Sequence, residues 1–260
     1  MGTNTNKKPL LAFTLTGPMA HFRKFYTNSS SLSYPFPPRT AIVGIIAGQL
    51  GLERDSYYEE LKPDILRIGI QILTPYRKAI YTVNYLFTKQ NVLYEKGRGT
   101  QVPLEFIFPQ NGLLRYRIFV YPEESKIKEI EKLYQNMKAN KYNWPVYLGI
   151  TECMGWIEDP VLYSPDEVII KKPTDDTVLI TTPIPSERIN TMVFSASENT
   201  YKVATDRMIL SFKKEPYRSP EKPINVIWEE NGKPIPVKIS GEVFHIPEWE
   251  ERIYGAFMEV

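Results

Sequence analysis

The order of apolar patterns in the first 160 residues constrains the fold more than any other feature of the chain. Short runs with strand character alternate with two helical stripes, in the order strand, helix, strand, strand, helix, strand. The segments are Pro9–Gly17, Arg39–Leu50, Ile65–Leu73, Leu113–Tyr121, Glu123–Asn140 and a last short strand region formed by Pro145–Leu148 and Trp156-Ile157. This β-α-β-β-α-β order predicts an α+β fold with the ferredoxin-like arrangement that is shared with RNA-recognition (RRM-like) domains.

An unusually long segment separates the second and third predicted strands. Residues Tyr81–Phe108 exceed a tight hairpin loop, and loops of this length in compact domains tend to be functional or disordered. Because Tyr81–Tyr94 alternates aromatic and β-branched residues, we expect an extended, projecting hairpin.

The character of the chain changes after Asp159-Pro160, where short strands are separated by Pro, Asn and Ser. The predicted strands there are Glu167–Ile170, Thr177–Thr182, Arg207–Phe212 and Ile224–Trp228. Asn231-Gly232, between Ile224–Glu229 and Ile235–Ile239, predicts a tight hairpin. We therefore expect a ferredoxin-like domain over residues 1–158, with the inserted hairpin at about 81–108, and a smaller β-rich domain over residues 159–260.

Charge is distributed unevenly along the chain, although the net charge is only +2. Residues 1–118 carry 15 Lys/Arg and 7 Asp/Glu, whereas residues 119–260 carry 17 and 23. This asymmetry indicates a polyanion site in the first half, or else chance unevenness of an ordinary surface. The single cysteine, Cys153, excludes an internal disulfide framework, and no Cys/His cluster predicts a metal site or a cofactor. No apolar stretch approaches a membrane span, so we expect a cytoplasmic protein without membrane contact.

The loop after the first strand is the first candidate for nucleic-acid contact. Gly17-Pro18 turns the chain, after which His21, Arg23 and Lys24 offer hydrogen-bond donors to phosphates or bases. A solvated basic turn that binds no ligand is the alternative.

A second candidate lies where the first predicted helix begins, after Pro37-Pro38. The N-terminus of a helix carries unpaired N–H groups and partial positive charge, so it can receive a phosphate. Thr40 is the expected N-cap, and Arg39 and Thr40 stand where such a phosphate would be held.

Further basic residues extend the candidate surface. Lys89, Lys96 and Arg98 belong to the inserted hairpin, where flanking glycines suit a tip that follows a nucleic-acid backbone. Arg115 and Arg117 alternate on the third strand and so share one sheet face, which we expect to be the face that the helices leave open. Salt bridges to acidic residues of the helices are the alternative for this pair.

Three segments resemble the CRISPR-associated protein family 5, a RAMP-superfamily component of Cascade-type effectors. They are Gly17–Lys24 (GPMAHFRK), Ser33–Leu52 (SYPFPPRTAIVGIIAGQLGL) and Val146–Trp156 (VYLGITECMGW), and the similarity spans roughly the first 160 residues. The resemblance implies a ferredoxin-like domain with a thumb-like hairpin. It also implies an antiviral-defence role as a type I Cascade subunit that caps the 5′ handle of the guide RNA (crRNA).

The resemblance further implies which residues contact the RNA and which molecules surround the protein. Handle contacts would fall on His21, Arg23, Lys24, Arg39, Thr40 and the turn that contains Gly149, Thr151 and Glu152. The hairpin would contact the adjacent backbone subunit of Cascade, and the large subunit would be a further partner. Target DNA would be met only through the assembled complex.

One branch of the family cleaves precursor guide RNA with a tyrosine, a lysine and a histidine. This chain has two histidines, His21 and His245, and no Lys-His pair after the inserted hairpin. We therefore expect no catalytic residues and a non-catalytic subunit. A metal-independent endoribonuclease built around His21 and a protein scaffold that never touches RNA are the alternatives.

Overall fold

The computed structural model describes residues 8–27, 31–86, 99–194, 201–215 and 218–259. The elements of the first part are β1 (Leu10–Gly17), β2 (Phe22–Arg23), β3 (Ser33–Tyr34), α1 (Arg39–Leu50), β4 (Leu66–Ile72), β5 (Tyr76–Leu86), β6 (Gly99–Pro109), β7 (Leu114–Pro122), α2 (Ile127–Lys138), β8 (Val146–Tyr147) and β9 (Met154–Tyr163). The strands of the second part are β10 (Ile169–Lys171), β11 (Val178–Ile180), β12 (Ile184–Pro185), β13 (Ile189–Met192), β14 (Val203–Lys213), β15 (Ser219–Glu229), β16 (Ile235–Ile239), β17 (Val243–His245) and β18 (Ile253–Ala256). The predicted mixed α+β class is confirmed, with many strands and few helices.

A five-stranded sheet, in the order β4-β7-β1-β9-β8, forms the centre of the first part. All neighbouring strands in it are antiparallel. Because side chains alternate along a strand, Leu11, Phe13 and Leu15 of β1 face the same side of the sheet. That side shares one buried core with the apolar stripes of the two helices, for example with Ile46 of α1 and Leu133 of α2.

The first helix has the predicted bounds, Arg39–Leu50, but its N-cap differs, and the second helix is shorter than predicted. The N-cap of α1 is Pro38, whose carbonyl accepts the N–H of Ile42 (3.2 Å), so the prediction that Thr40 caps the helix is wrong. Gly51 ends α1 in the left-handed conformation (φ 74°). α2 is shorter than the predicted helix because residues 124–126 form a 3-10 turn. Neither helix in the described parts of the chain is long and apolar enough to cross a membrane.

The second face of the central sheet is closed at one end, contrary to the expectation of an open face. Phe119 of β7 packs on Phe244 of β17, with ring centroids 5.0 Å apart, and Tyr121 packs near Phe257, at 5.6 Å. This end is covered because β7 is apolar on both faces from Ile118 onward. The other end of this face, which carries Arg115, stays exposed.

The C-terminal strands form a six-stranded sheet, in the order β10-β17-β18-β11-β16-β13, and a three-stranded sheet, β12-β15-β14. The β14–β15 hairpin packs into the same core as α1, through Leu210 and Trp228 among others. β9 extends across residue 158, where the boundary between domains was predicted, and its register against β1 shifts after Glu158. The division into two domains at that residue stays a prediction.

The predicted tight hairpin at Asn231-Gly232 is wrong. β15 pairs with β12 and β14, whereas β16 pairs with β11 and β13, so the two strands belong to different sheets. The carboxylate of Glu229 accepts the backbone N–H groups of Asn231 (2.8 Å), Lys233 (2.9 Å) and Lys202 (3.0 Å). These bonds redirect the chain from one sheet into the other.

The inserted segment forms the extended hairpin that its alternation predicts. β5 and β6 pair in antiparallel register from Tyr76↔Pro109 to Leu86↔Gly99. The hairpin therefore begins and ends slightly outside the predicted range of 81–108. Its tip, residues 87–98, lies outside the described residues.

Candidate nucleic-acid interface

Three predicted segments meet around His21. Its backbone N–H donates to the carbonyl of Leu148 (3.0 Å), which directly precedes the turn Gly149–Glu152. Its ring Nδ1–H donates to the carbonyl of Glu105 on β6 (2.7 Å). The loop Gly17–Lys24, the base of the β5–β6 hairpin and the turn Gly149–Glu152 are thereby joined, and we call this region the junction.

The turn can lie directly on the loop because residue 149 is a glycine. Gly149 has φ +102°, and a Cβ built there would stand 1.9 Å from the carbonyl oxygen of His21. Two backbone hydrogen bonds close the turn. The N–H of Leu148 donates to the carbonyl of Cys153 (2.7 Å), and the N–H of Cys153 donates to the carbonyl of Ile150 (3.0 Å). The glycine thus lets two backbones approach closely, as a site that presents backbone groups requires.

The base of the hairpin is held to the loop by its backbone. Ala20 and Ile107 exchange two backbone hydrogen bonds, of 2.9 and 2.8 Å. Further along β5, burial and then the charge of Glu152 raise the pKa of Tyr85. The junction is therefore bounded by the hairpin on one side and by the turn on the other.

The structure corrects the role that was predicted for His21. The residue is only 2% exposed, and its ring lies near that of Phe106 (centroids 5.9 Å apart). Because Nδ1 carries the proton that Glu105 accepts, the imidazole is used to hold the hairpin. His21 connects the parts of the junction and does not present its side chain to a ligand.

Arg39, which is predicted to hold a phosphate, lies in the interior of the protein instead of at its surface. The side chain is 1% exposed, and its Nε pairs with the buried carboxylate of Glu259. Its terminal nitrogens donate to the carbonyls of Leu210 (2.9 Å), Leu61 (2.8 Å) and Leu66 (2.7 Å). Arg39 is therefore a buried link between α1, β4 and the C-terminal strands, while its neighbour Thr40 is half-buried in the first helical turn.

The two cations of the loop differ in how strongly the protein binds them. Lys24 Nζ lies 2.7 Å from the carboxylate of Asp206 on β14, which also accepts the hydroxyl of Tyr26. Burial alone would lower the pKa of Lys24, but the bond and charge of Asp206 outweigh it and raise that pKa. Arg23 is exposed and donates from Nη2 to the carbonyl of Thr27 (3.1 Å), an acceptor that leaves its charge uncompensated. Arg23 is thus the better candidate for a phosphate contact.

Arg115 and Arg117 share one sheet face, as their alternation predicts. Arg115 lies 3.3 Å from the carboxylate of Asp159 and 3.6 Å from that of Glu158. Arg117 donates to the carbonyl of Asp159 (2.7 Å) and to the hydroxyl of Thr14 (3.1 Å). Arg115 therefore has acidic partners, but they come from β9 and not from the helices.

Thr151 and Glu152, at the tip of the turn, are exposed, and the hydroxyl of Thr151 donates to the carboxylate of Glu152 (3.1 Å). The three basic residues predicted near the hairpin tip lie outside the described residues, so the structure does not place them: Lys89, Lys96 and Arg98.

Sequence reasoning missed the residues that organise the junction from a distance in the chain. Glu105 binds His21 through its carbonyl and the N–H of Ser33 through its carboxylate (3.0 Å), and Asp206 fixes Lys24. Neither acid belongs to a motif, and Asp206 is more than 180 residues from its partner. The alternation of Trp156 and Glu158 on β9 is a second signal for the polar sheet face that Arg115 and Arg117 indicate.

The strand-rich α+β fold is of a class that is found among CRISPR proteins. The crystal structure of a CRISPR protein from Archaeoglobus fulgidus has a similar fold, with a TM-score of 0.56 and 12% identity over 92% of this chain and 96% of that chain. A chain of a CRISPR RNA-guided surveillance complex is less similar, with a TM-score of 0.47 and 15% identity over 87% and 91%. No curated protein matches the sequence.

The family match is more specific than these folds. The family described as CRISPR-associated protein (Cas_Cas5) matches residues 10–214. Because this match covers most of the chain, the protein belongs to the CRISPR-associated protein family 5. The resemblance that was predicted from the three sequence segments is thereby confirmed.

Proposed function

We propose that the chain is a non-catalytic subunit of a type I CRISPR effector complex and binds the 5′ handle of the guide RNA at the junction. The observation that carries the proposal is the convergence of the loop Gly17–Lys24 and the turn Gly149–Glu152 on His21. These are two of the three segments that resemble the family, and they are more than 120 residues apart in the chain. The fold brings them into backbone contact, with exposed polar groups at their tips. This arrangement supports the proposal that one ligand contacts both segments.

The arrangement of the first part supports an RNA-binding role of the kind proposed. We propose that the central sheet and its helices form the ferredoxin-like arrangement, because β9, β1, β7 and β4 lie side by side in that order and all pair antiparallel. Folds of this class present a sheet and its neighbouring loops to single-stranded RNA.

Within the junction, Arg23 supplies a phosphate contact, and the turn supplies backbone and hydroxyl groups. Arg23 is exposed and has no carboxylate partner among the described residues. Backbone N–H groups in a glycine turn and the hydroxyl of Thr151 suit phosphate oxygens or the 2′-hydroxyl. Arg39 and His21 take no direct part in this interface, because the protein itself uses their polar atoms.

The absence of catalysis is proposed from the state of the histidines. Metal-independent RNA cleavage needs a base that can approach the 2′-hydroxyl. The His21 ring is buried and bonded to Glu105, and Nδ1 of His245 bonds to the carbonyl of Ile253 (2.8 Å). Both imidazoles therefore serve the fold, which supports a binding subunit and a separate processing enzyme.

We further propose that the hairpin contacts the adjacent backbone subunit and that the large subunit binds elsewhere on the chain. The outer edge of β5 has no strand partner among the described residues, so it offers unpaired backbone groups. Target DNA would be met only after assembly.

The experiment is guide-RNA retention by the complex assembled on the tagged full-length chain, measured over a range of salt concentrations. The logarithm of the binding constant falls as log[salt] rises, and each lost phosphate contact with a single strand reduces the magnitude of this slope by about 0.7. Arg23→Ala should lower it by that amount, while Arg54→Ala, whose side chain is 85% exposed outside the junction, should not.

Equal retention and equal slopes for both variants would contradict the junction as the RNA site. Incubation of the pure chain with repeat RNA in EDTA tests the second half of the proposal. Discrete cleavage that disappears in His21→Ala would contradict a non-catalytic subunit.

A further inference from the structure

One end of the central sheet carries an exposed cluster that the junction does not use. On β9, Trp156 and Glu158 alternate with the buried Ile157, so they lie on the face opposite the helices. The register places Thr16 of β1 directly between Trp156 of β9 and Arg115 of β7. These three residues form one row across the sheet, and we call this row together with Glu158 the tryptophan platform.

The indole of Trp156 is held in place by its neighbours. Its Nε1–H donates to one carboxylate oxygen of Glu158 (2.6 Å), and the hydroxyl of Thr16 donates to the other (2.8 Å). These two bonds, and to a smaller extent the charge of Arg115, lower the pKa of Glu158, so the carboxylate is ionised at neutral pH. Trp156 is nevertheless 39% exposed, so the protein presents a large aromatic surface whose orientation is already set.

The charge around the platform argues against a site for phosphate alone. Arg115 and Arg117 are balanced by Glu158 and Asp159, so the four groups together carry no net charge. A fixed aromatic ring beside a guanidinium donor and a carboxylate acceptor fits a nucleobase, which stacks through its face and hydrogen-bonds through its edge.

The position of the platform favours a strand of nucleic acid over a separate small ligand. Thr16 directly precedes Gly17, where the loop of the junction begins. Gly155 directly precedes Trp156, and a Cβ on it would stand 2.9 Å from the carbonyl oxygen of Thr16 and 3.0 Å from Leu148. The platform therefore lies at the end of β1, where the loop begins, and at the start of β9, just after the turn.

We propose that Trp156 stacks an unpaired base of the single-stranded RNA that lies on the junction, and that Arg115 and Glu158 bind the edge of this base. The inference rests on the proposed function and names a second contact for the same RNA. It differs from the contact of Arg23 in its physical origin, since stacking depends little on salt and a phosphate contact depends on it strongly.

The test uses the full-length protein and fluorescein-labelled single-stranded oligouridine and oligoadenosine, with affinity measured by fluorescence anisotropy at several salt concentrations. Loss of one stacked base should weaken binding of Trp156→Ala by about 5- to 150-fold, with an unchanged salt slope. Trp156→Phe should keep most of the affinity and show that the fold is intact. Trp144→Ala is the matched control, because that indole is 62% exposed but lies against Gly48 of α1, on the helix side of the sheet.

The outcomes separate the inference from the proposed function. Wild-type binding that Trp156→Ala does not weaken, or that Trp144→Ala weakens equally, would overturn the platform and leave the junction in place. A wild-type chain that binds neither the oligonucleotides nor guide RNA in the complex would overturn the proposed function itself. Quenching of tryptophan fluorescence by oligoadenosine, lost in Trp156→Phe, would support direct stacking.

Discussion

The buried contact between Arg39 and Glu259 should be one of the most sensitive points in the fold. Arg39 lies at the start of α1, and Glu259 follows the last strand, so the pair links positions 220 residues apart. The second oxygen of Glu259 accepts the N–H of Ile68 (2.8 Å), and the guanidinium also satisfies three carbonyls. Both side chains are almost fully buried.

Arg39→Met fills a similar volume but leaves a buried carboxylate without its cation. Removal of one partner from a buried ion pair typically costs about 3–5 kcal/mol. Domains of ordinary stability unfold with about 5–15 kcal/mol, so this single change removes a large fraction of the total. Arg39→Lys keeps the charge but cannot reach three carbonyls and a carboxylate at once, so it should also destabilise the protein.

The assay is urea denaturation of the full-length chain, followed by circular dichroism and by the fluorescence of its tryptophans. We expect the unfolding midpoint to fall for Arg39→Met, with little change in the slope of the free energy against urea. The double variant Arg39→Met/Glu259→Gln should recover part of the loss, since it no longer buries an unpaired charge. A loss below about 1 kcal/mol in Arg39→Met, or no recovery in the double variant, would refute this reasoning. The exposed Arg54→Met serves as the control.

Three further predictions follow from single residues. Burial raises the pKa of Cys153 to about 12, so the thiol should resist iodoacetamide at pH 8 and react only in urea. Burial alone would raise the pKa of Glu229, but the N–H groups that it accepts outweigh burial and lower it. Its contribution to stability should therefore be complete above the ordinary carboxyl pKa and be lost as the pH falls through the lowered value, and Glu229→Gln should flatten this part of a stability-against-pH curve. Gly149→Ala should cost more than about 1 kcal/mol in urea denaturation, because φ +102° and the carbonyl of His21 leave no room for a Cβ; an unchanged midpoint would contradict that account of the turn.

Local patterns predicted much of the first part of the chain. Alternation in β4 and β7, and the stripes in α1 and α2, placed these elements within a few residues of their observed bounds. The inserted hairpin was also predicted, because alternation over so long a segment is typical of paired strands.

The roles of individual polar residues could not be predicted in the same way. Arg39 follows two prolines at the start of a helix, a context that favours a phosphate site, and nothing near it in the chain indicates Glu259. His21 was interpreted as a ligand residue for the same reason, since its acceptor, the carbonyl of Glu105, is 84 residues away. Burial of a polar side chain depends on such distant partners, which local patterns do not encode.

The Asn231-Gly232 turn shows a related limit. The dipeptide correctly indicates a change of chain direction, but Glu229 binds the following N–H groups and sends the chain into another sheet. The closed end of the central sheet has the same cause, because Phe244 lies on β17 and Phe257 directly follows β18, and the position of both strands depends on the whole fold.

The most direct test of the central claim is ultraviolet crosslinking of guide RNA within the assembled effector complex, with the crosslinked peptides of this chain identified by mass spectrometry. A binding subunit that uses the junction should give adducts in residues 17–24 and 149–152. Efficient crosslinking of the RNA to other subunits, with no adduct in either segment of this chain, would contradict the assignment of the junction as the RNA site.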